Sequence, residues 1–288
     1  MVKYKPKIAS VVILYNPKQD VLKNILACAK QTEIVYVLDN SENCHHDIIN
    51  ETDKIDKVEY HSFNSNLGVA YGLNYAANLA IKNNFDFLLT MDQDSVISDF
   101  MVKQLLDVFL FKDNVGISAA YAINKFYPEN PPDNEIHNSD KVITSGNLID
   151  LRVYNMVGPF KEDLFIDYVD FEYCFRLRKI NYKVLINNAA IVYHSVGVLK
   201  KWNILGFKFY STNHSALRLY YRTRNRFYLR GIYGKQEQEF FTVDMKSFIL
   251  EIIKIILVES EKIQKLKMII RGLIDFKKNQ LGKFQRNH

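Results

Sequence analysis

The 288-residue sequence is poor in the residues that dominate fibrous, low-complexity and disulfide-rich proteins. Eleven glycines and six prolines exclude a collagen-like or low-complexity chain. Three cysteines, Cys28, Cys44 and Cys174, lack the spacing of a disulfide framework or a metal site, which predicts a reducing, cytoplasmic setting. No stretch of about 18 apolar residues occurs, because Glu251 and Lys254 interrupt the longest one, so we expect no membrane-spanning helix.

Two common nucleotide-binding signatures are also missing. No Gly-x-Gly-x-x-Gly follows the first apolar run and no Gly-Lys-Ser/Thr occurs, which disfavours dinucleotide binding and P-loop chemistry. The N-terminal apolar run spans only about seven residues and has no small-residue cleavage site, so it predicts a strand rather than a signal peptide. The length favours one α/β domain with an appendage.

Acidic residues are scarce in the last third of the chain. Residues 200–288 hold 19 Lys and Arg against 7 Asp and Glu, whereas residues 1–199 hold 19 against 25. The segment 200–235 has nine basic residues, nine aromatic residues and no acid. This change of charge along the chain indicates an acidic, metal-tolerant N-terminal part and a basic C-terminal part that faces phosphate, in nucleic acid or on a membrane.

Short apolar runs alternate with helix-like segments in the first half of the chain. This alternation predicts βαβ units, and hence an α/β fold with a mostly parallel central sheet flanked by helices. Beyond residue 199 the pattern predicts helices, over 210–233 and from 240 to about 276. The predicted strands of the earlier part are Ile8–Leu14, Ile34–Leu38, Val58–His61, Phe85–Met91, Val115–Tyr121, Val184–Ile186 and Ile191–His194.

Polar residues follow three of these strands. They are Tyr15, Asp39 and the tripeptide Asp92-Gln93-Asp94. Ligands of open α/β sheets bind beyond the carboxyl ends of the strands, so we expect these side chains to share a site. Tyr15 is suited to stacking on a base or to core packing. Asp39 is suited to accepting from a ribose hydroxyl or a base N–H, or to starting a turn.

Asp92 and Asp94 place two carboxylates one residue apart at a strand end. Carboxylates so placed can ligate a divalent cation that bridges phosphate oxygens, although an Asx turn with a helix cap gives the same tripeptide. His194 ends a later strand and is a candidate third metal ligand, a phosphate contact or a structural residue. Asn66, Gly68 and Asn74 surround a helix start, where small residues and backbone N–H groups admit a phosphate or a base, or simply cap the helix.

Three acids crowd the start of a predicted helix over 167–179. They are Asp167, Asp170 and Glu172. Such crowding can raise the pKa of one carboxyl so that it serves as a general base, but acids also favour helix N-termini through the helix dipole. Further on, arginines and tyrosines alternate over 220–226, a pattern that suits RNA stacking, diphosphate binding, a membrane headgroup layer or a solvated helix face.

The order of these motifs resembles that of the family 2 glycosyltransferases of the GT-A fold, and within them the bacterial rhamnosyltransferase-like branch. The resemblance covers roughly residues 8–230. It implies a GT-A catalytic domain over 1–205 and a basic helical C-terminal region over 206–288. The matching motifs, in chain order, are Tyr-Asn-Pro, Asp-Asn-Ser, Asn-x-Gly-x-x-x-Gly-x-Asn, Asp-Gln-Asp-Ser, Ser-Gly-Asn, Asp-x-x-Asp-x-Glu-x-Cys-x-Arg, His-x-x-Gly and Tyr-Tyr-x-x-Arg-Asn.

The resemblance also implies a role for each matching residue. Asp170 is the implied catalytic base, but Val169 replaces the family's usual preceding acid and Glu172 stands where Asp is common, so Asp167 and Glu172 remain rivals. The remaining implied roles are nucleotide-sugar binding by Tyr15, Asp39, Asn66, Gly68, Asn74, Asp92 and Arg222; Mg²⁺ or Mn²⁺ binding by Asp94, Asp92 and His194; and an acceptor side at Ser145, Gly146 and Glu172.

The implied function is inverting, metal-dependent transfer of a sugar, L-rhamnose from dTDP-L-rhamnose, onto a bacterial surface glycan. A UDP-hexose-dependent transferase of the same fold, a nucleotidyltransferase, and a noncatalytic nucleotide- or RNA-binding protein are the alternatives. The implied partners are the nucleotide-sugar donor and a glycan or lipid-linked glycan acceptor, without nucleic acid. Apolar stripes and lysines over 249–257 and 263–274 suit either peripheral contact with anionic membrane or ordinary packing, including packing in a homodimer.

Overall fold

A computed structural model describes residues 5–124, 131, 133–194, 200–204 and 207–285. Its contacts divide the chain into two compact units. The first comprises Met1–Glu162 with Tyr173–Ser195, and the second Asp163–Glu172 with Val196–His288. The boundary predicted between residues 205 and 206 falls on residues outside the described ranges.

The first unit alternates strands and helices as the apolar pattern predicts. A 3₁₀ turn covers Glu162–Leu164, and the helix that follows it runs from the second unit into the first. The elements are β1 (Ile8–Leu14), α1 (Val21–Gln31), β2 (Ile34–Asp39), α2 (His46–Thr52), β3 (Val58–Ser62), α3 (Val69–Lys82), β4 (Phe87–Asp92), β5 (Val96–Ile97), α4 (Met101–Phe111), β6 (Val115–Asn124), β7 (Ile136–Asn138), β8 (Asn147–Asp150), α5 (Leu151–Val157), α6 (Val169–Lys179) and β9 (Lys183–His194).

These strands form one mixed, mostly parallel sheet in the order β3-β2-β1-β4-β8-β6-β9-β5, with β7 paired to β9. The longer ladders, β1 with β2 and β4, β2 with β3, and β6 with β9, are parallel. The antiparallel ladders of β5, β7 and β8 are short. The α/β class with a mostly parallel sheet is thereby confirmed.

Burial explains why the central strands are recognisable in the sequence. Every residue of β1 is buried, and its apolar side chains share a core with those of β2, β4 and the inner faces of α1 and α4. A strand buried on both faces reads as a continuous apolar run, the signal that β1, β2 and β4 give.

The second unit is built mainly from helices. After the hairpin of β10 (Lys200–Ile204) and β11 (Phe207–Ser211) come α7 (Ala216–Tyr233), α8 (Gln238–Leu257) and α9 (Lys262–Lys277). Its core contains Leu219, Phe248, Ile255 and Ile269. No helix among the described residues is long and apolar enough to span a membrane.

Three predictions about secondary structure are wrong. The chain beyond residue 199 is not helical from the outset, because the β10–β11 hairpin precedes α7 and includes residue 210. The two strands predicted at Val184–Ile186 and Ile191–His194 are one strand, β9, whose irregular register lies between them. The helix predicted from residue 167 begins at Val169, because Asp167 and Tyr168 have positive φ. The apolar pattern alone also misses the short elements β5, β7, β8, α2 and α5.

Candidate active site

The carboxyl ends of the parallel strands bring the predicted strand-end residues to one edge of the sheet. Asp39 pairs with Leu14 in the β1–β2 ladder, and Asp92 pairs with Ile13 in the β1–β4 ladder. Tyr15 follows β1 directly, and its side chain is 44% exposed, which excludes the core-packing interpretation. The residues that the sequence predicted at the strand ends therefore do lie along one edge of the sheet.

Asp92, Asp94 and His194 form a cluster at this edge. One ligand atom from each lies within 4.8 Å of the others. The Nδ1 atom of His194 is 3.7 Å from Oδ1 of Asp94 and 2.8 Å from Oγ of Ser95. His194 reaches the cluster because the β5–β9 ladder pairs Val96 with Tyr193.

The donor set of this cluster suits a divalent cation. Metal–ligand bonds of about 2.1 Å place ligand atoms up to about 4.2 Å apart, so small side-chain rotations close the observed separations. The two carboxylates are ligands that both Mg²⁺ and Mn²⁺ accept, and the imidazole is a ligand that favours transition metals. Asp94 is about half exposed, which leaves the cluster accessible from solvent.

Backbone atoms around Asp92 are fixed by neighbouring side chains. Its carbonyl accepts a 2.8 Å hydrogen bond from Asn24, and its N–H donates to the Ser145 hydroxyl at 3.3 Å. Gln93 accepts from the N–H of Tyr15 at 2.8 Å and donates to the carbonyl of Tyr15 at 3.1 Å. The Asp-Gln-Asp tripeptide is thus tied to the end of β1, across 78 residues of sequence.

Asp39 is fully buried and its carboxylate is bonded within the protein. Oδ1 accepts from the N–H and the hydroxyl of Ser41, and Oδ2 accepts from the hydroxyl of Tyr60. Burial and the bond to Asp39 both raise the pKa of the Tyr60 hydroxyl, which keeps it protonated as a donor. The ribose or base contact predicted for Asp39 stays a prediction, and in this structure its carboxylate orders the turn after β2.

The three residues predicted around a helix start, Asn66, Gly68 and Asn74, make hydrogen bonds within the protein or adopt a turn conformation. Asn66 accepts from the N–H of Gly68 at 3.1 Å, and Gly68 has φ +92°, a conformation that favours glycine. Asn74 is buried and makes four hydrogen bonds, to Tyr154, Glu162 and both backbone groups of Phe160. The nucleotide contact predicted for Asn74 stays a prediction that requires one of these bonds to open.

Ser145 and Gly146 lie between β4 and β6, on the predicted acceptor side. Gly146 has φ +85° and bonds β4 through its N–H and β6 through its carbonyl. A Cβ there would lie 3.0 Å from Val192 and 3.1 Å from Ala120. These contacts explain the glycine by close packing. Contact with an acceptor stays a prediction for both residues.

The three rival carboxylates differ in their surroundings within the second unit. Asp167 accepts three hydrogen bonds from the guanidinium of Arg218, at 3.0 to 3.3 Å. Glu172 is 3% exposed and accepts from the Tyr233 hydroxyl at 2.8 Å. Asp170, in the first turn of α6, is half-buried and accepts from the N–H of Phe171 at 2.9 Å.

Arg222 on α7 is a partly exposed side chain whose Nη2 lies 3.4 Å from Oε1 of Glu251. Its predicted contact with the nucleotide stays a prediction. The residue that completes the His-x-x-Gly motif, Gly197, lies outside the described residues. Gln93, Asn24, Ser41 and Tyr60 are the supporting residues that sequence reasoning missed, because their partners are distant in sequence or their types are common in turns.

The mostly parallel sheet, with two carboxylates and a histidine beyond its strand ends, agrees with the GT-A fold that the motif order implies. Residues 10–185 match the model of the family described as "Glycosyl transferase family 2". The chain therefore belongs to glycosyl transferase family 2 and is a glycosyltransferase. The resemblance seen in the motifs is confirmed.

Individual relatives agree with this placement. The chain is 30% identical over 245 residues to the dTDP-rhamnosyl transferase RfbF of Shigella flexneri, covering 77% of this chain and 79% of that protein. Among solved structures, GalNAc-T7 with UDP, GalNAc and Mn²⁺ superposes with a TM-score of 0.61 at 13% identity, over 82% of this chain and 49% of that one. The chain thus spans about half the length of GalNAc-T7.

S. aureus TarS residues 1–349 in complex with UDP-GlcNAc gives a TM-score of 0.52 at 15% identity, over 93% of this chain and 71% of that one. At these identities the two structures support the fold alone.

Proposed function

We propose that this glycosyltransferase transfers L-rhamnose from dTDP-L-rhamnose to a glycan acceptor, with inversion at the anomeric carbon. The observation that carries the proposal is the Asp92–Asp94–His194 cluster at the strand ends of a chain similar to a dTDP-rhamnosyl transferase. A UDP-hexose donor is the alternative, since UDP and UDP-GlcNAc are the ligands named for neighbours of the same fold.

Asp94, Asp92 and His194 would hold the cation. A bound Mn²⁺ or Mg²⁺ supplies positive charge that neutralises the departing nucleoside diphosphate. Because one ligand is an imidazole, we expect Mn²⁺ to bind more tightly than Mg²⁺. Tyr15, exposed at the end of β1, would stack on the nucleobase.

The chemistry then requires a base for the acceptor hydroxyl, whose own pKa lies far above 7. The acceptor oxygen attacks the anomeric carbon while the bond from that carbon to the diphosphate oxygen breaks, and the bonding electrons leave with dTDP. The hydroxyl proton passes to the carboxylate of Asp170. A single displacement of this kind inverts the anomeric configuration. Asp167, which accepts hydrogen bonds from Arg218, and Glu172, which accepts from Tyr233, remain the rival carboxylates.

Metal binding can be tested without turnover. Titration of Mn²⁺ followed by electron paramagnetic resonance should show binding to the wild type, weakened about 10-fold or more in Asp94→Asn and His194→Gln. Glu59→Gln, a change to an exposed carboxylate on β3, serves as the control. Equal Mn²⁺ affinity in wild type, Asp94→Asn and His194→Gln would contradict the cation site.

Donor choice is tested by turnover with dTDP-L-rhamnose and with UDP-hexoses on the same lipid-linked or polysaccharide acceptor. A clear preference for dTDP-L-rhamnose is expected. A preference for a UDP-sugar would contradict the rhamnose assignment and leave the fold and the mechanism in place.

The base is tested by Asp170→Asn, which is nearly isosteric. We expect most turnover to be lost while dTDP affinity stays the same, because the base acts on the acceptor and not on the nucleotide. Asp167→Asn and Glu172→Gln are the matched variants. Near-normal turnover in Asp170→Asn together with a severe loss in one of the others would reassign the base.

We also propose that the enzyme works at the inner face of the plasma membrane, through the exposed face of α8. Six apolar side chains of this helix are 44–60% exposed, and Lys246 and Lys254 lie among them. Two of its three acids, Asp244 and Glu251, pair with arginines of α7, and the third, Glu239, lies exposed in its first turn. An apolar stripe with lysines beside it fits an anionic lipid surface, which attracts each nearby basic residue by about 1 kcal/mol. The six apolar residues are Val243, Ile249, Leu250, Ile253, Ile256 and Leu257.

Sedimentation with vesicles tests this surface in the full chain. Binding to anionic but not neutral vesicles is expected, weakened by salt and lost in Leu250→Ser/Ile253→Ser. The control, Leu110→Ser/Phe111→Ser, removes two apolar side chains of α4 that are even more exposed. Equal vesicle binding by all three proteins would contradict the membrane role. A dimer that the α8 variant dissociates, without vesicle binding by the wild type, would assign this face to a second copy of the chain.

A further inference from the structure

The segment before α6 is held in an unusual backbone conformation. Phe165, Asp167 and Tyr168 have φ of +66°, +60° and +67°, in the left-handed region that side chains other than glycine rarely adopt. The N–H of Ile166 also donates to the carbonyl of Leu164 at 2.8 Å, a three-residue turn around Phe165. Strain of this kind persists only where surrounding contacts enforce it, and it concentrates at functional sites.

Asn225 of α7 supplies the central contact. Its fully buried side-chain amide donates to the carbonyls of Leu164, Ile166 and Asp167 at 2.9 to 3.0 Å. One NH₂ group, whose two hydrogens are shared among three carbonyls, therefore ties the turn to α7. Without it the carbonyls of Ile166 and Asp167 would lose this partner, whereas the carbonyl of Leu164 also accepts from the N–H of Ile166 and from Arg224.

Arg224, also fully buried, extends the same support. Its guanidinium donates to the carbonyls of Asp163 and Leu164 at 3.2 and 3.1 Å, and to that of Gly282 at 2.6 Å. Its Nε donates to Oδ1 of Asn225 at 3.0 Å, which orients the amide so that its NH₂ group faces the segment.

The end of the segment is fixed independently by Tyr168. Its hydroxyl donates to Oδ1 of Asp244 at 2.7 Å, and Asp244 in turn accepts from Arg226 at 2.8 Å. The carbonyl of Tyr168 accepts the first hydrogen bond of α6, from the N–H of Glu172 at 3.0 Å. The strained segment thus determines where α6 begins, and with it the position of Asp170 in the first turn.

We infer that Asn225 and Arg224 are positioning residues for the reaction: they hold the 163–168 segment so that Asp170 is presented in one orientation. This inference rests on the proposed role of Asp170 as the base. It also gives a function to the Arg-Asn end of the Tyr-Tyr-x-x-Arg-Asn motif, whose side chains contact the segment and the carbonyl of Gly282.

Steady-state kinetics of Asn225→Ala test the inference. A displacement of the base by about 1 Å can cost about 100-fold in rate, so we expect kcat to fall 10- to 100-fold while donor KM and dTDP affinity stay within about twofold. Asn225→Ser, which keeps one short donor, should fall between wild type and Asn225→Ala. It also serves if Asn225→Ala does not fold, as checked by circular dichroism at the assay temperature.

Two comparisons separate positioning from a merely structural role. Thr223→Ala removes a buried side chain of the same helix that donates only to the carbonyl of Leu219 within α7, and should leave kcat unchanged. In an Asp170→Asn background, Asn225→Ala should lower kcat by less than about twofold, because the base it positions is already gone.

The outcomes are distinguishable. An unchanged kcat in folded Asn225→Ala, an equal fall in Thr223→Ala, or an undiminished fall in the Asp170→Asn background each overturns the positioning role. Near-normal turnover in Asp170→Asn alone contradicts the assignment of the base itself, and the positioning inference fails with it.

Discussion

Replacement of Asn74 by alanine distinguishes a structural role for this residue from the nucleotide contact that the sequence implies. The Asn74 amide donates to the carbonyl of Phe160 at 2.9 Å and to the carboxylate of Glu162 at 2.8 Å. Its oxygen accepts from the hydroxyl of Tyr154 at 2.9 Å and from the N–H of Phe160 at 2.8 Å. Asn74 therefore clamps the chain after α5 onto α3.

The size of the effect follows from these partners. Three bonds to uncharged groups contribute about 1 kcal/mol each and the bond to a carboxylate about 2 kcal/mol. Glu162 is exposed and regains water in the variant, whereas Tyr154 and Phe160 are buried and do not. We expect Asn74→Ala to lower the free energy of unfolding by about 3 kcal/mol, a fall in Tm of roughly 6–12 °C at about 2–4 °C per kcal/mol.

Thermal unfolding by circular dichroism measures the loss, and calorimetric titration with dTDP measures nucleotide affinity in the same preparations. Asn187→Ala is the matched control, since this buried asparagine makes two hydrogen bonds, with Gln104 and Ala189, and should cost about half as much. If Asn74 has the structural role, the Tm of Asn74→Ala falls and its dTDP affinity is unchanged. A Tm within 2 °C of the wild type, combined with a tenfold or greater loss of dTDP affinity, would refute this reasoning and favour the nucleotide contact.

Three further predictions follow from burial and packing. Burial, with the charges of nearby arginines, lowers the pKa of His214 from 6.5 to about 4. Because the unfolded chain then binds the proton first, the free energy of unfolding should fall by up to about 3 kcal/mol as the pH drops from about 6.5 to 4. Urea unfolding of wild type and His214→Gln measures this, and an equal change of unfolding free energy with pH in the two proteins would contradict it. A Cβ at Gly272 would lie 2.7 Å from a backbone oxygen of α7, so Gly272→Ala should lose about 1–3 kcal/mol by forcing α7 and α9 apart, and an unchanged Tm would count against the close approach. Cys44 is exposed, whereas Cys28 and Cys174 are buried, and burial raises the pKa of Cys28 to about 12. A thiol reagent should therefore modify only Cys44 quickly in the native protein, and two fast-reacting thiols would be inconsistent with this.

The strands that carry the site were predictable from the sequence because they are buried on both faces. The continuous apolar runs of β1, β2 and β4 need no information from elsewhere in the chain, and parallel pairing places their carboxyl ends at one edge. Short edge elements gave no such signal. β5 and β8 are two and four residues long, and their strand conformation comes from ladders to β9, and to β4 and β6, that form only in the folded chain.

By itself, the sequence determined the α/β class, the family through the order of its motifs, and the pair Asp92 and Asp94 as the carboxylates at a strand end. Local patterns suffice for these because periodicity and strand-end chemistry act over a few residues. Only the tertiary structure decided that His194 joins that pair across about a hundred residues, that Asn74 is engaged within the protein, and that Asn225 holds the strained turn before α6. Each of these depends on contacts between segments distant in the chain, whose meeting is set by strand pairing and helix packing rather than by the identity of the neighbouring residues.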